Sequence, residues 1–310
     1  MIKLESLSAR IIASMVGLSL LTAITIGSIS VLKSSQIISN SAEELLLISS
    51  KNKSNEIYND LKQVEKNVTL MGSLIESASS VQNKNDMNSL RSRSVAETEY
   101  SKIRVYVKKL GENTKWCMSS YFYYDQNYIP SFDGAWFVGK DGNFERKISN
   151  SEITHKDGGY YWIPVETGKA TWAAPYIDSD LKMAMVTYAV PVYKNGFLLG
   201  LSGMDITLDN LNNIVKNINI YKNNNAYIID NNFNFIAGDK FKTGDNFLQV
   251  QKGLYKFLEK SLKKQKEGFV EYNNGGVHRI ISYSALPNGF ILLIDVPIGI
   301  LINSFDSDKN

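Results

Sequence analysis

Residues Ile11 to Leu32, IIASMVGLSLLTAITIGSISVL, form an unbroken run without one charged side chain. As a helix this run is about 33 Å long, close to the hydrocarbon thickness of a bilayer. It has no polar face, which makes a buried core helix a poor third reading. Lys3 and Arg10 precede it and Lys33 follows. The positive-inside rule then keeps residues 1–10 in the cytoplasm and makes 11–32 a transmembrane anchor. A cleaved signal peptide is the alternative. The run is long for one, and no A-x-A site follows. Both readings place the bulk of the chain outside the cytoplasm, at the cell membrane. The sequence reading is a single N-terminal span.

The 310-residue chain leaves room for two modest domains after that span. Its net charge of +3, with no basic run interleaved by aromatics, argues against a nucleic-acid partner. The single cysteine, Cys117, excludes an intramolecular disulfide and a thiolate metal cage. His155 and His278 stand far apart and are expected at the surface or in turns. No cofactor or metal is expected. Neither a G-x-S-x-G elbow nor a Walker loop occurs, so the chain does not read as an enzyme. Asp178 and Asp205 could in principle serve as a glycosidase pair. The surrounding W-x-x-P-Y-x-D pattern fits recognition better than acid–base work.

Residues 33–114 contain no proline and predict a long helix. Ile57, Leu61, Val64, Val68, Met71 and Ile75 recur at steps of four and three, which lines up one apolar stripe. The stripe can pack on the chain's own sheet or form a seam with a second copy. The expectation is packing with some homodimer contact through this helix.

From about Ser119 the pattern changes to strands. SSYFYYD is aromatic-rich, and GAWFVGKDGNFER predicts two strands around Asp141-Gly142. Asn195-Gly196, between two long apolar strands, is the strongest hairpin signal. Thr207 is the expected N-cap of a helix with Leu208, Leu211, Ile214, Val215 and Ile218 on one face. The pattern then restarts. AYIIDNNFNFIAGD predicts strand, turn and strand, and GLYKFLEKSLKKQKEG predicts a helix. GFVEYNNGGVHRIISYSALPNGFILLIDVP predicts three strands. The segment TWAAPYID, Thr171 to Asp178, corresponds to GFVEYNN in this second copy. The fold class is therefore α+β, two copies of one unit, each an antiparallel sheet flanked by helices. The copies occupy residues 115–218 and 219–303, and the first carries an insertion from Lys147 to Ala170.

The stretch GKATWAAPYIDSD, followed by VTYAVPVYKNGFLLGLSGMDITLDNL, resembles the double Cache (dCache) sensor domains of bacterial transmembrane receptors, of the methyl-accepting chemotaxis type. The resemblance covers roughly residues 34–300 and implies two PAS-like modules. It also implies a ligand in the membrane-distal module, 115–218. In amino-acid-binding members an R-x-W-Y segment precedes the Pro-Tyr. Here it falls on Gly158, Gly159, Tyr160 and Tyr161, with the arginine absent and the tryptophan replaced by Tyr160. Asp178 and Asp205 are retained.

The resemblance thus implies a pocket of Tyr160, Tyr161, Trp172, Tyr176, Asp178 and Asp205. Trp136 and Tyr121 are added as candidates from strand alternation, which sends one of each adjacent pair to the core and the other toward the pocket without telling which. A buried carboxylate without a forked cationic partner loses charge-assisted bonds, and Lys156 or Lys169 lacks that planar fork. Aromatic faces with carboxylates favour an amine or quaternary ammonium ligand, with an amino acid or its derivative, or another small metabolite, as the alternatives. Simpler roles also fit these residues: a turn for Tyr176 and Asp178, and a helix cap for Asp205. The functional expectation is the sensor of a chemoreceptor-like signalling protein. The alternative is a stand-alone anchored binding or scaffold protein, which the absence of a second span before Asn310 favours in one respect.

Overall fold

A computed structural model describes residues 7–129, 134–140, 143–148, 158–221, 223–238, 241–242 and 244–301. The Asp141-Gly142 turn, His155, Lys156 and residues 149–157 of the insertion lie outside these.

Helix α1 (Leu7–Ala78) passes without a break from the apolar run into the predicted stripe. It is the one described helix long and apolar enough to cross a membrane. Side chains 11–32 are exposed, whereas Leu61, Val64, Val68, Met71 and Ile75 are fully buried and Ile57 nearly so. The stripe packs on the chain's own strands. Each such side chain contributes roughly 1.5–3 kcal/mol relative to its exposed state.

The predicted 33–114 helix is in fact three. After Ala78 come α2 (Lys84–Ser89) and α3 (Arg93–Glu112). Short polar side chains redirect the backbone at the break. Ser79 Oγ donates to Glu99 Oε1 at 2.6 Å, and Asn83 Oδ1 caps α2 by accepting from Asn85 N at 2.8 Å. Helix α3 runs back along α1, because Ser79 meets Glu99 at one end and Asn67 meets Thr114 at the other, at 2.6 Å.

The distal sheet holds β1 (Cys117–Tyr124), β2 (Ala135–Lys140), β3 (Asn143–Lys147), β4 (Thr171–Trp172), β5 (Tyr176–Ile177), β6 (Ala184–Lys194) and β7 (Phe197–Thr207). Helix α4 (Gly159–Thr167) precedes β4, and α5 (Leu208–Lys216) follows β7. Asn195 and Gly196 both have positive φ, 48° and 81°, as the two-residue β6–β7 turn requires. Thr207 caps α5, accepting from Asn210 N at 3.3 Å.

The proximal sheet holds β8 (Asn225–Ile229), β9 (Phe235–Ala237), β10 (Glu267–Asn274), β11 (Val277–Ala285) and β12 (Ile291–Pro297). The helix predicted before β10 is broken into α6 (Val250–Gly253), a short 3-10 turn and α7 (Glu259–Lys264). Tyr255, Leu258 and Leu262 enter the core from that segment, and Gln251 and Lys252 take positive φ to allow it.

The strand orders show the repeat. The distal sheet runs β3-β2-β1-β7-β6, with β4 and β5 both on β6, and the proximal sheet runs β9-β8-β12-β11-β10. Thus β2, β1, β7, β6 and the β4/β5 pair match β9, β8, β12, β11 and β10. Both sheets lay one face on α1.

Candidate functional site

Alternation along the distal strands sends two rows of side chains to the face opposite α1. Register places Ser119, Asp205 and Thr187 side by side across β1, β7 and β6. The next row on this face is Trp136, Tyr121, Gly203 and Ala189. Trp136, Tyr121 and Ala189 are almost fully buried.

Asp205 is the centre of this face and is 3% exposed. Its carboxylate accepts hydrogen bonds from the hydroxyls of Ser119 and Thr187. The Tyr176 hydroxyl donates to Asp205 Oδ1 at 3.2 Å and lies 3.0 Å from Thr187 Oγ1. Burial pushes the Asp205 carboxyl up to about 6, against the three hydroxyl bonds that lower it. Asp178 raises it further through its charge. Among the described residues no cationic side chain is paired with Asp205.

Aromatic rings cluster beside this carboxylate. Tyr160, from α4, stacks on Tyr176 with centroids 4.9 Å apart and meets the Tyr121 ring edge-on at 6.2 Å. Tyr121 stacks on Tyr123 at 4.8 Å. The buried Tyr121 hydroxyl has no hydrogen-bond partner among the described residues. Burial, then the charge of Asp205, raises its pKa well above the usual phenol value. A Cβ on Gly203 would collide with the Tyr121 ring and hydroxyl, so only glycine allows the phenol to lie there.

The structure therefore brings together Tyr121, Trp136, Tyr160, Tyr176 and Asp205. It places three other expected residues elsewhere. Trp172 faces α1: its indole N–H donates to Glu65 Oε1 at 2.7 Å, and its ring packs on Tyr188 and on Phe290 of the proximal module. In an extended strand, Trp172 and Tyr176 would share one face. The chain breaks between β4 and β5 at Ala173-Ala174-Pro175, and this turns the two rings apart. Tyr161 points to the end of β1, where its oxygen accepts from Gln126 N at 3.0 Å. Asp178 organises a turn, accepting from Asp180 N at 3.0 Å and Leu181 N at 2.7 Å. It acts on Asp205 only through its charge.

Sequence reasoning missed Ser119 and Thr187, which flank Asp205. Their signal was present as polar residues at inward positions of apolar strands. It became legible only with the strand register. Cys117, on β1, donates its thiol to Ser119 O at 3.2 Å, and burial raises its pKa.

Two PAS-like sheets in tandem behind one long helix, with an acidic aromatic face on the first, define a double Cache sensor module. The chain belongs to the Cache domain family: the dCache family model matches residues 34–304. It is similar to the solved extracellular domain of mmHK1S-Z3, assigned as a histidine kinase. The identity is 18% and the TM-score 0.63, over 86% of this chain and 98% of that one. It is also similar to the extracellular domain of soHK1S-Z6, likewise assigned as a histidine kinase, at 15% identity and TM-score 0.64, over 87% and 98%. The sensory domain of the Campylobacter jejuni chemoreceptor Tlp3, solved with isoleucine bound, matches at 15% identity and TM-score 0.57, over 86% and 98%. A comparison with curated protein sequences gave no match.

Proposed function

We propose that this chain is the extracytoplasmic ligand-binding region of a transmembrane, chemoreceptor-like signalling protein, anchored through residues 11–32. Its distal module binds a small organic cation, an amine or quaternary ammonium compound. The observation that carries this reading is Asp205, a buried carboxylate with only neutral hydroxyl partners, beside the stacked rings of Tyr160 and Tyr176. A buried carboxylate without a cation is costly. An organic cation supplies the missing charge, and the tyrosine faces attract its positive surface. The site is one of recognition. Binding would favour one closure of the distal module, and α1 joins that module to the span. A homodimer through α1 is part of this proposal.

An amino acid is the second reading, favoured by the Tlp3 complexes with isoleucine and L-valine. Its ammonium would use Asp205 equally well. Its carboxylate would need a cation that Gly158 does not provide. Calorimetry on the full chain in detergent, with choline, simple alkylamines, valine and simple carboxylates, tests both. Heat from amines or choline supports the cation reading. Heat from valine alone supports the second, and heat from carboxylates alone overturns both.

A further inference from the structure

The proximal module repeats the tyrosine–aspartate pair of the distal one, with Asn225, Ile281 and Arg279 at the places of Ser119, Thr187 and Met185. In the distal sheet Tyr176 pairs with Met185, Met185 pairs with Thr207, and Asp205 stands two residues before Thr207. In the proximal sheet Tyr272 pairs with Arg279, Arg279 pairs with Pro297, and Asp295 stands two residues before Pro297. The tyrosine bond is repeated too. Tyr176 donates to Asp205 at 3.2 Å, and Tyr272 donates to Asp295 Oδ2 at 3.1 Å. By register, Met185 and Arg279 occupy equivalent positions.

The charges then differ in one respect. Arg279 Nε lies 2.9 Å from Asp295 Oδ1 and 3.1 Å from Oδ2, and Nη2 lies 3.4 Å from the Asp295 carbonyl. Asp295 is 3% exposed and Arg279 14%. The uncharged Met185 leaves Asp205 without that counter-ion.

We propose that the proximal corner is a cation site filled by the chain's own Arg279, so that the guanidinium stands where the distal module takes its ligand's cationic group. This rests on the cation reading of the distal module for its functional meaning, while its geometry is independent of it. One chain then senses with the distal module only. The proximal module is held in its cation-occupied state at all times and acts as a fixed relay toward the membrane. Met185 is the specificity-determining residue that keeps the distal corner open.

Emptying the corner tests this. The variant Arg279→Ala is made in an Asp205→Asn background, which silences the distal carboxylate, and the full chain is melted in detergent. Loss of one partner of a buried pair lowers the melting temperature by roughly 10 °C. Methylguanidinium chloride restores more than half of that loss, while equal urea or sodium chloride does not. Adding Asp295→Asn removes the selective rescue. Rescue no greater than that of the Asp205→Asn parent overturns the proposal.

Should the Arg279→Ala variant not fold, Met185→Arg decides instead. It raises the melting temperature at pH 7.5, and Asp205→Asn cancels the gain. An equal change in both backgrounds overturns the equivalence. If no organic cation stabilises the wild-type chain, the distal reading fails, while rescue of Arg279→Ala still stands or falls by itself.

Discussion

The hydroxyl of Tyr176 reaches Asp205 Oδ1 at 3.2 Å across 29 residues of sequence, because β5 and β7 flank β6 from opposite sides. This contact fixes the carboxylate without neutralising it. A buried carboxylate held this way is costly, which is the physical basis of the proposed cation site.

The cost has a pH signature. The Asp205 carboxyl titrates at about 6 in the fold, above its ordinary 3.8. The folded state therefore holds its proton more tightly than the unfolded state. The associated stability is present below pH 4 and lost as pH rises to about 6. Two units correspond to about 3 kcal/mol. Asp205→Asn should therefore melt higher than wild type at pH 7.5, with the difference shrinking toward pH 4. Thermal melts across that range check this, and a lower melt at pH 7.5 contradicts it. The same variant should lose binding of the tightest amine in calorimetry.

Ligand affinity should follow the same proton. Binding an organic cation requires the carboxylate form, so affinity falls about tenfold per pH unit below about 6 and is flat above it. Calorimetry with a quaternary ammonium ligand isolates Asp205, because that ligand does not titrate. A flat profile from pH 5 to pH 8 contradicts the assignment.

The two stacked tyrosines should separate by substitution. Tyr160→Ala removes a cation-facing ring and should weaken binding by roughly tenfold, equivalent to about 1–2 kcal/mol. Tyr176→Phe keeps its ring and loses one hydroxyl donor. Its affinity should change by less than about threefold. Equal losses in the two variants would mean that the hydroxyl, not the face, carries recognition.

Trp172→Phe should leave ligand affinity unchanged and lower stability by about 1–2 kcal/mol. It leaves the Glu65 carboxylate without its indole donor at 2.7 Å. Denaturant melts and calorimetry on one preparation measure both effects. A large affinity loss would return Trp172 to the pocket.

Membrane orientation is accessible through Ile177, which is 73% exposed. Ile177→Cys should react with a membrane-impermeant maleimide in intact cells expressing the chain. Cys117 is half-buried, so the labelling is compared with that of the parent chain. Labelling only after lysis would reverse the proposed topology.

Local pattern alone determined the apolar span, the stripe of α1, the Asn195-Gly196 hairpin, the Thr207 cap and the duplication into two α+β modules. The hairpin and the cap depend on a few adjacent residues, the span and the stripe on periodicity along one segment, and the duplication on the same local pattern recurring later in the chain. Asp205 was legible for the same reason, as a carboxylate inside an apolar strand. The break after Ala78 was not legible, because Ser79 and Ser80 leave the helix to bond Glu99 on a later element. The fate of Trp172 was likewise hidden. Its strand reads like the one carrying Tyr176, and only the turn at residues 173–175 decides that one ring meets α1 and the other meets Asp205. The exchange of Met185 for Arg279 was the least visible of all. Neither residue is informative in its own segment, and only strand register across two sheets sets an uncharged side chain at one place and a counter-ion at the other.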